Sequence, residues 1–436
     1  MNIRSLVLAG ALAATTALPA FAATEIQWWH SMGGANGEKL EEIANEFNKS
    51  QSEYKIVPVN KGKYAESMTA AIAAFRAGQQ PDILQVFEVG TGTFMAAKQA
   101  IYPVEQLMKD EGETFDPSVY LPAVTGYYET TKGKLLSFPF NSSTPILYYN
   151  KDAFKKAGLT TPPKTWADMA SAATKIVKSG AAKCGFTTTW PSWMNVENLS
   201  AFNNVPLATE QNGMGGLDAK FVFAEKGLVP MHWANLAKWQ KTGAYQYRGR
   251  TGDAVPSFTS GDCAMIIESS AGRAAILKSS KFNVGFSMMP YYASQKGAPQ
   301  NSIIGGASLW VMRGKPESHY KGVAKFFTFL SQPKIQAEWH QFTGYLPITK
   351  AAYELSKKEG YYKKNPGAEI AIKEITLNKP TENSKGLRFG DYVQIRNVFQ
   401  SEIEQTLNGS KTAEQAAKDA EAKGNEMLRA FQQSHE

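Results

Sequence analysis

Ile26-Gln27-Trp28-Trp29, Tyr54-Lys55-Ile56-Val57-Pro58-Val59 and Ile83-Leu84-Gln85-Val86-Phe87 are three short apolar runs, separated by two segments of helical spacing. In the first separator Leu40, Ile43, Ala44 and Phe47 recur at i, i+3, i+4 and i+7, the period of a helix with one buried face. The second, Tyr64 to Ala77, carries Met68, Ala71, Ile72 and Phe75 on one stripe, and Gly78 is placed to end it. Pro81-Asp82 opens the third run. Strands alternating with helices predict parallel pairing through right-handed crossovers, so the fold class is α/β. In such sheets a ligand sits beyond the carboxyl ends of the strands. Two loops fall there, His30-Ser31-Met32-Gly33-Gly34 and Glu88-Val89-Gly90-Thr91-Gly92. Alternation resumes after Phe140, around 282–290 and around 307–312, and the last hundred residues read as mainly helical.

Upstream, Arg4 is the only charge before Glu25, Leu6 to Leu12 are apolar, and Ala20-Phe21-Ala22 has the small-residue pattern of a signal-peptidase site. Residues 1–22 are therefore expected to be a signal peptide, the apolar run being short and without a stop-transfer cluster after it. The rest of the 436 residues is long enough for two lobes. Neither Cys184 nor Cys263 lies near the cleavage site, so neither is a lipid-bearing cysteine. In an oxidising compartment they form one disulfide or remain two buried thiols. The net charge of +8 is spread, Lys and Arg alternating with Asp and Glu, which marks a solvated surface and not a nucleic-acid footprint.

Signatures of catalysis are missing. There is no H-E-x-x-H, C-x-x-C, complete P-loop or G-x-S-x-G, Gly90-Thr91-Gly92 lacks the third glycine of a dinucleotide fingerprint, and the five histidines have no metal-ligand spacing. No catalytic residue, metal or cofactor is expected. Binding equipment is plentiful, with 9 Trp and 18 Tyr, several of them in loops such as Thr189-Trp190-Pro191-Ser192-Trp193 and Gly344-Tyr345-Leu346-Pro347. Aromatic faces on loops suit sugar-like or choline-like ligands. Tryptophans beside a proline serve equally well as core filling, and the sequence leaves both roles open.

Several stretches carry a resemblance: Trp29-His30-Ser31-Met32, Lys61-Gly62-Lys63-Tyr64, Leu84 to Gly90, Pro139 to Pro145, Leu147 to Phe154, Gly261-Asp262-Cys263-Ala264-Met265, Ile303 to Val311, Thr343 to Thr349 and Gln394-Ile395-Arg396. Through them the chain resembles the extracellular solute-binding family that also contains the maltose-binding proteins, and within it the members serving uptake of glycerol phosphates. The resemblance implies a two-lobed periplasmic-binding-protein fold (type II) with the ligand clamped between lobes joined by hinge strands. It places 23–140 and 273–328 in lobe one, and 141–272 and 329–436 in lobe two. It further implies a soluble periplasmic monomer without a lipid anchor, binding sn-glycerol-3-phosphate or a glycerophosphodiester such as glycerophosphocholine. Its partners would be inner-membrane ABC permease subunits with their ATPase. An oligosaccharide-binding protein of the same fold and an exported glycerophosphodiester hydrolase are the alternatives.

Carried over position by position, the family's ligand contacts fall on Tyr64, Glu88, Ser143, Ser269, Gly306, Tyr345 and Arg396, with Trp190 and Trp193 as the aromatic pair of the cleft. The chemistry agrees. Arg396 offers a planar fork that takes two phosphate oxygens at once. The serines and tyrosines supply hydroxyls, Gly306 a close backbone N–H, and Glu88 an acceptor for glycerol hydroxyls. Glu268 and Arg273 flank the Ser269-Ser270 pair as departures from the expected pattern, with the capacity to tune ligand choice.

Overall fold

The computed structural model describes residues 22–435, so the expected signal peptide, apart from Ala22, lies outside the described residues. Strands β1 (Thr24–His30), β2 (Tyr54–Asn60) and β3 (Ile83–Phe87) form where the three apolar runs predict them. They pair in parallel, β1 at the centre. The helix Gly34–Ser50 between β1 and β2 buries Leu40, Ile43, Ala44 and Phe47, as its spacing requires. The helix Tyr64–Arg76 departs from its predicted stripe: it turns Ser67, Met68 and Ala71 inward and leaves Ile72 39% exposed. Gly78, at φ +68°, ends it by taking the left-handed conformation that side chains disfavour.

Strands β4 (Ile101–Tyr102), β5 (Phe138–Ser143), β6 (Pro145–Asn150), β7 (Cys184–Thr188), β8 (Cys263–Ser269), β9 (Val284–Ser287) and β10 (Gly305–Met312) complete two sheets. The first has the order β2-β1-β3-β10-β4, with β5 also on β10; the second has the order β7-β8-β6-β9. Strand β10 runs antiparallel to β3, β4 and β5, so residues from a distant part of the chain enter the centre of the first sheet. Cys184 and Cys263 stand opposite each other on parallel β7 and β8 and are disulfide-bonded, which decides between the two states left open by the sequence. Closing a loop across 79 positions constrains the unfolded chain by about 4.5 kcal/mol on the chain-entropy model.

The sheets divide the chain differently from the expected lobe boundaries. Strand β9 lies within 273–328 yet pairs with β6 of the second sheet, so the chain returns to the first sheet only at β10. Likewise the helix Pro333–Thr343, beyond 328, serves the first sheet: Trp339 stacks on Phe140 at 4.8 Å, and Leu121 N–H donates to the Ile348 carbonyl. A strand joins whichever sheet edge offers unpaired backbone groups, and strand periodicity carries no information about which edge that is.

The passages between the sheets converge on buried polar groups. Thr144 alone separates β5 from β6, and the segment 288–304 separates β9 from β10. The Thr144 carbonyl accepts from Ser270 N–H and the Thr144 N–H donates to Ser270 Oγ, its hydroxyl contacts that of Ser302, and Glu374 accepts from Met289 N–H at 2.7 Å and from the Thr144 hydroxyl at 3.4 Å. Burial pushes the Glu374 carboxyl up to about 8, with these hydrogen bonds opposing the shift, so it holds its proton at neutral pH. Because the native pKa exceeds the unfolded one, the folded state binds the extra proton between the ordinary carboxylate range and about pH 8. Stability from this group is therefore lost as pH rises through that window. Urea titrations at pH 5.5 and 8.5 are expected to show a larger fall for wild type than for Glu374→Gln; equal falls would contradict a protonated Glu374.

Candidate functional site

About 620 Å³ of open space lies between the two sheets, bordered by the ends of β3, β5, β8 and the start of β10. All nine residues proposed from the sequence border it. Glu88 is the first residue past β3 and opens the 3-10 turn Glu88–Gly90. Ser143 closes β5 opposite Gly305 of β10, and Gly306 lies opposite Ser142. Gly306 stands at φ +90°, and a Cβ there would sit 1.9 Å from the Asn141 carbonyl oxygen, so only glycine fits this edge of the cavity.

Two phenols reach the same space. Tyr64 begins its helix, stacks on Phe87 at 5.1 Å and accepts from Asn141 Nδ2 at 3.2 Å. Tyr345 follows Gly344 at a left-handed helix end and stacks on Trp339 at 5.6 Å. Burial raises the pKa of both, so each presents a neutral O–H.

The second sheet supplies the facing wall. Ser269 ends β8, its Oγ accepting from Ala271 N–H at 3.2 Å. Trp190 follows β7 at φ +42°, an unusual conformation for a bulky residue, and is half-buried. Trp193 starts the π-helical turn Trp193–Glu197 and lies over Gly305, where a Cβ would come 2.4 Å from its Cζ2. Trp193 is 4% exposed and also borders the cavity, so it fills core and lines the site at once.

Arg396 stands on the helix Tyr392–Leu407. Its Nε donates to Glu197 Oε1 at 2.7 Å, and its Nη2 donates to Glu197 Oε2 at 2.6 Å and to Glu88 Oε1 at 2.8 Å. The fork expected to grip two phosphate oxygens grips a carboxylate here, and among the described residues Nη1 has no hydrogen-bond partner. Burial by itself would lower the Arg396 pKa, but Glu197 and Glu88 outweigh it and hold the guanidinium charged. Glu88 is raised by burial and by Glu197, against the pull of Arg396.

Sequence reasoning did not find Glu197. It lies four positions after Trp193, on a turn whose π geometry no residue pattern announces, and Ser192 Oγ also donates to it at 3.0 Å. Glu268 and Arg273, noticed as departures, separate: Glu268 borders the cavity, whereas Arg273 faces Tyr361 and the ring of Phe286.

Residues 42–370 match the family model described as bacterial extracellular solute-binding protein. The chain is 50% identical over 432 residues, 99% of each chain, to the sn-glycerol-3-phosphate-binding periplasmic protein UgpB of Brucella abortus. It is 51% identical to that of Rhizobium meliloti over 95% of this chain and 96% of the relative. Among solved structures, UgpB from Mycobacterium tuberculosis in complex with glycerophosphocholine superposes with TM-score 0.78 at 20% identity, covering 94% of this chain and 100% of that one. Maltose-bound MalE3 of T. maritima superposes with TM-score 0.74 at 19% identity, covering 93% and 100%.

The Arg396 grouping has a stability signature. Arg396→Ala leaves two buried carboxylates without their cation and is expected to cost about 3–5 kcal/mol in denaturant unfolding. A loss below about 1 kcal/mol would show that solvent compensates Glu88 and Glu197.

Proposed function

The chain belongs to the bacterial extracellular solute-binding proteins, and on that premise we propose that it is the periplasmic binding component of an ABC importer. Its ligands are sn-glycerol-3-phosphate and glycerophosphodiesters such as glycerophosphocholine. What carries the reading is the convergence of the nine proposed contacts around one cavity, in a chain half identical over nearly its whole length to relatives named for that ligand.

The chemistry of the walls supports it. Neutral phenols at Tyr64 and Tyr345, hydroxyls at Ser143 and Ser269 and the Gly306 N–H are donors of the kind a phosphate needs. Arg396 adds positive charge through Nη1, Glu88 accepts from glycerol hydroxyls, and Trp190 and Trp193 cover the carbon chain. A neutral-donor phosphate site with one partly engaged cation suits an anion that is captured and later released, since full neutralisation would slow its exit. The two lobes close as hinged bodies about Thr144 and the segment 288–304, and the closed form is presented to permease subunits with their ATPase. Residues 1–22 direct export, the mature chain acts as a monomer, and it turns nothing over.

Calorimetry with the purified mature chain is expected to show one-to-one binding of glycerol-3-phosphate and glycerophosphocholine and none of maltose. Scattering should show a smaller radius of gyration at saturation, and no choline should be released from glycerophosphocholine. Binding of maltose with neither phosphate compound bound would sink the assignment, and choline release would make the chain a hydrolase.

A further inference from the structure

We propose that Glu268 is the specificity-determining residue that makes this cavity prefer a ligand with a cationic head group, the quaternary ammonium of a glycerophosphodiester, over a bare phosphate monoester. The inference rests on the ligand class proposed above.

Glu268 is the penultimate residue of β8, is 5% exposed and borders the cavity. Its Oε1 accepts from Ser269 N–H at 2.6 Å, and the Thr189 hydroxyl lies beside it. Among the described residues no lysine, arginine or histidine pairs with it. The nearest in sequence, Arg273, directs Nη1 to the Tyr361 hydroxyl at 3.4 Å and lies 5.4 Å from the Phe286 ring centroid. Gly272 closes over the carboxyl stem: a Cβ there would be 3.0 Å from Glu268 Cγ. A buried carboxylate without a cation is a costly arrangement. Burial accordingly pushes its pKa up to about 7. A ligand bringing its own cation removes that cost.

The surroundings select the kind of cation. Thr189 is followed by Trp190, which like Trp193 lines the same cavity as Glu268, so this space offers an ammonium aromatic residues as well as a carboxylate. Of the proposed phosphate donors, Ser143 and Gly306 stand on the first sheet, while Ser269 stands next to Glu268 on β8, so a ligand whose phosphate takes the first-sheet donors leaves its ammonium to Glu268. Charge balance points the same way. Glu88, Glu197 and Arg396 together carry one net negative charge, and ionised Glu268 adds a second. A dianionic monoester enters against that field, whereas a phosphodiester with an attached ammonium is neutral overall. A purely structural Glu268, capping Ser269 N–H, would be served equally by glutamine and would leave ligand choice unchanged.

The test is calorimetry of wild type, Glu268→Gln and Glu268→Asp with three ligands: glycerophosphocholine, its uncharged 3,3-dimethylbutyl isostere and sn-glycerol-3-phosphate. Wild type should bind the choline compound at least about tenfold more tightly than the isostere. Glu268→Gln should bring the two within about twofold while keeping or improving glycerol-3-phosphate affinity, and Glu268→Asp should retain part of the preference. Thermal melts report folding, and the wild-type comparison of choline with isostere decides even where the glutamine variant fails to fold. Wild type that binds the isostere as tightly as choline, or a folded Glu268→Gln that keeps the wild-type ratio, overturns the assignment while the proposed function stands. Wild type that binds none of the three overturns both.

Discussion

A buried guanidinium with two carboxylates is the interaction on which the site depends. Arg396 comes from a C-terminal helix, Glu88 hangs from the end of the first sheet, and Glu197 follows the second sheet, so one cation joins three remote parts of the chain. Each of these groups, taken singly, would be expensive to bury. Together their attraction offsets desolvation, at the cost of committing most of the guanidinium to protein partners. That commitment shapes everything the cavity offers an anion: donors that are mainly neutral hydroxyls and a backbone N–H, beside one guanidinium whose charge is offset by two carboxylates.

The same economy of charge appears at the passages between sheets. There, too, a carboxyl is buried, but among the described residues Glu374 pairs with no cation and keeps its proton, so that it joins Thr144, Ser302 and Met289 through neutral hydrogen bonds. Hydroxyls and a protonated acid exchange partners at little electrostatic cost. The cleft and the passages between the sheets thus solve one problem, polar groups deprived of water, in two ways: by ion pairing at Arg396 and by protonation at Glu374. Glu268 belongs to neither group, since it lines the cavity and pairs with no cation among the described residues.

Likeness to sugar-binding structures at under 20% identity shows how little of this chemistry belongs to the fold itself. Two twisted sheets with facing strand ends create the space, and the side chains at those ends decide what enters it. Glycine at 306 is a case in point. Its φ of +90° and the nearness of the Asn141 carbonyl admit no side chain, which keeps an edge of backbone open to ligand.

Local periodicity determined a good deal by itself. The spacing of Leu40, Ile43, Ala44 and Phe47 and the runs at β1, β2 and β3 depend on contacts within a few residues, so α/β alternation and the loops at the strand ends were legible, and with the family resemblance so were the nine cavity residues. Only the tertiary structure decided the rest. It paired β9 with β6, bonded Cys184 to Cys263, turned Arg273 away and Glu268 toward the cavity, and put Glu197 against Arg396 across 199 positions. The physical reason is common to all of these. A helix or strand is announced by its own residues, whereas the partner of a sheet edge, a thiol or a buried charge is set by which distant groups close packing brings within a few ångströms, and no pattern along the chain records that distance.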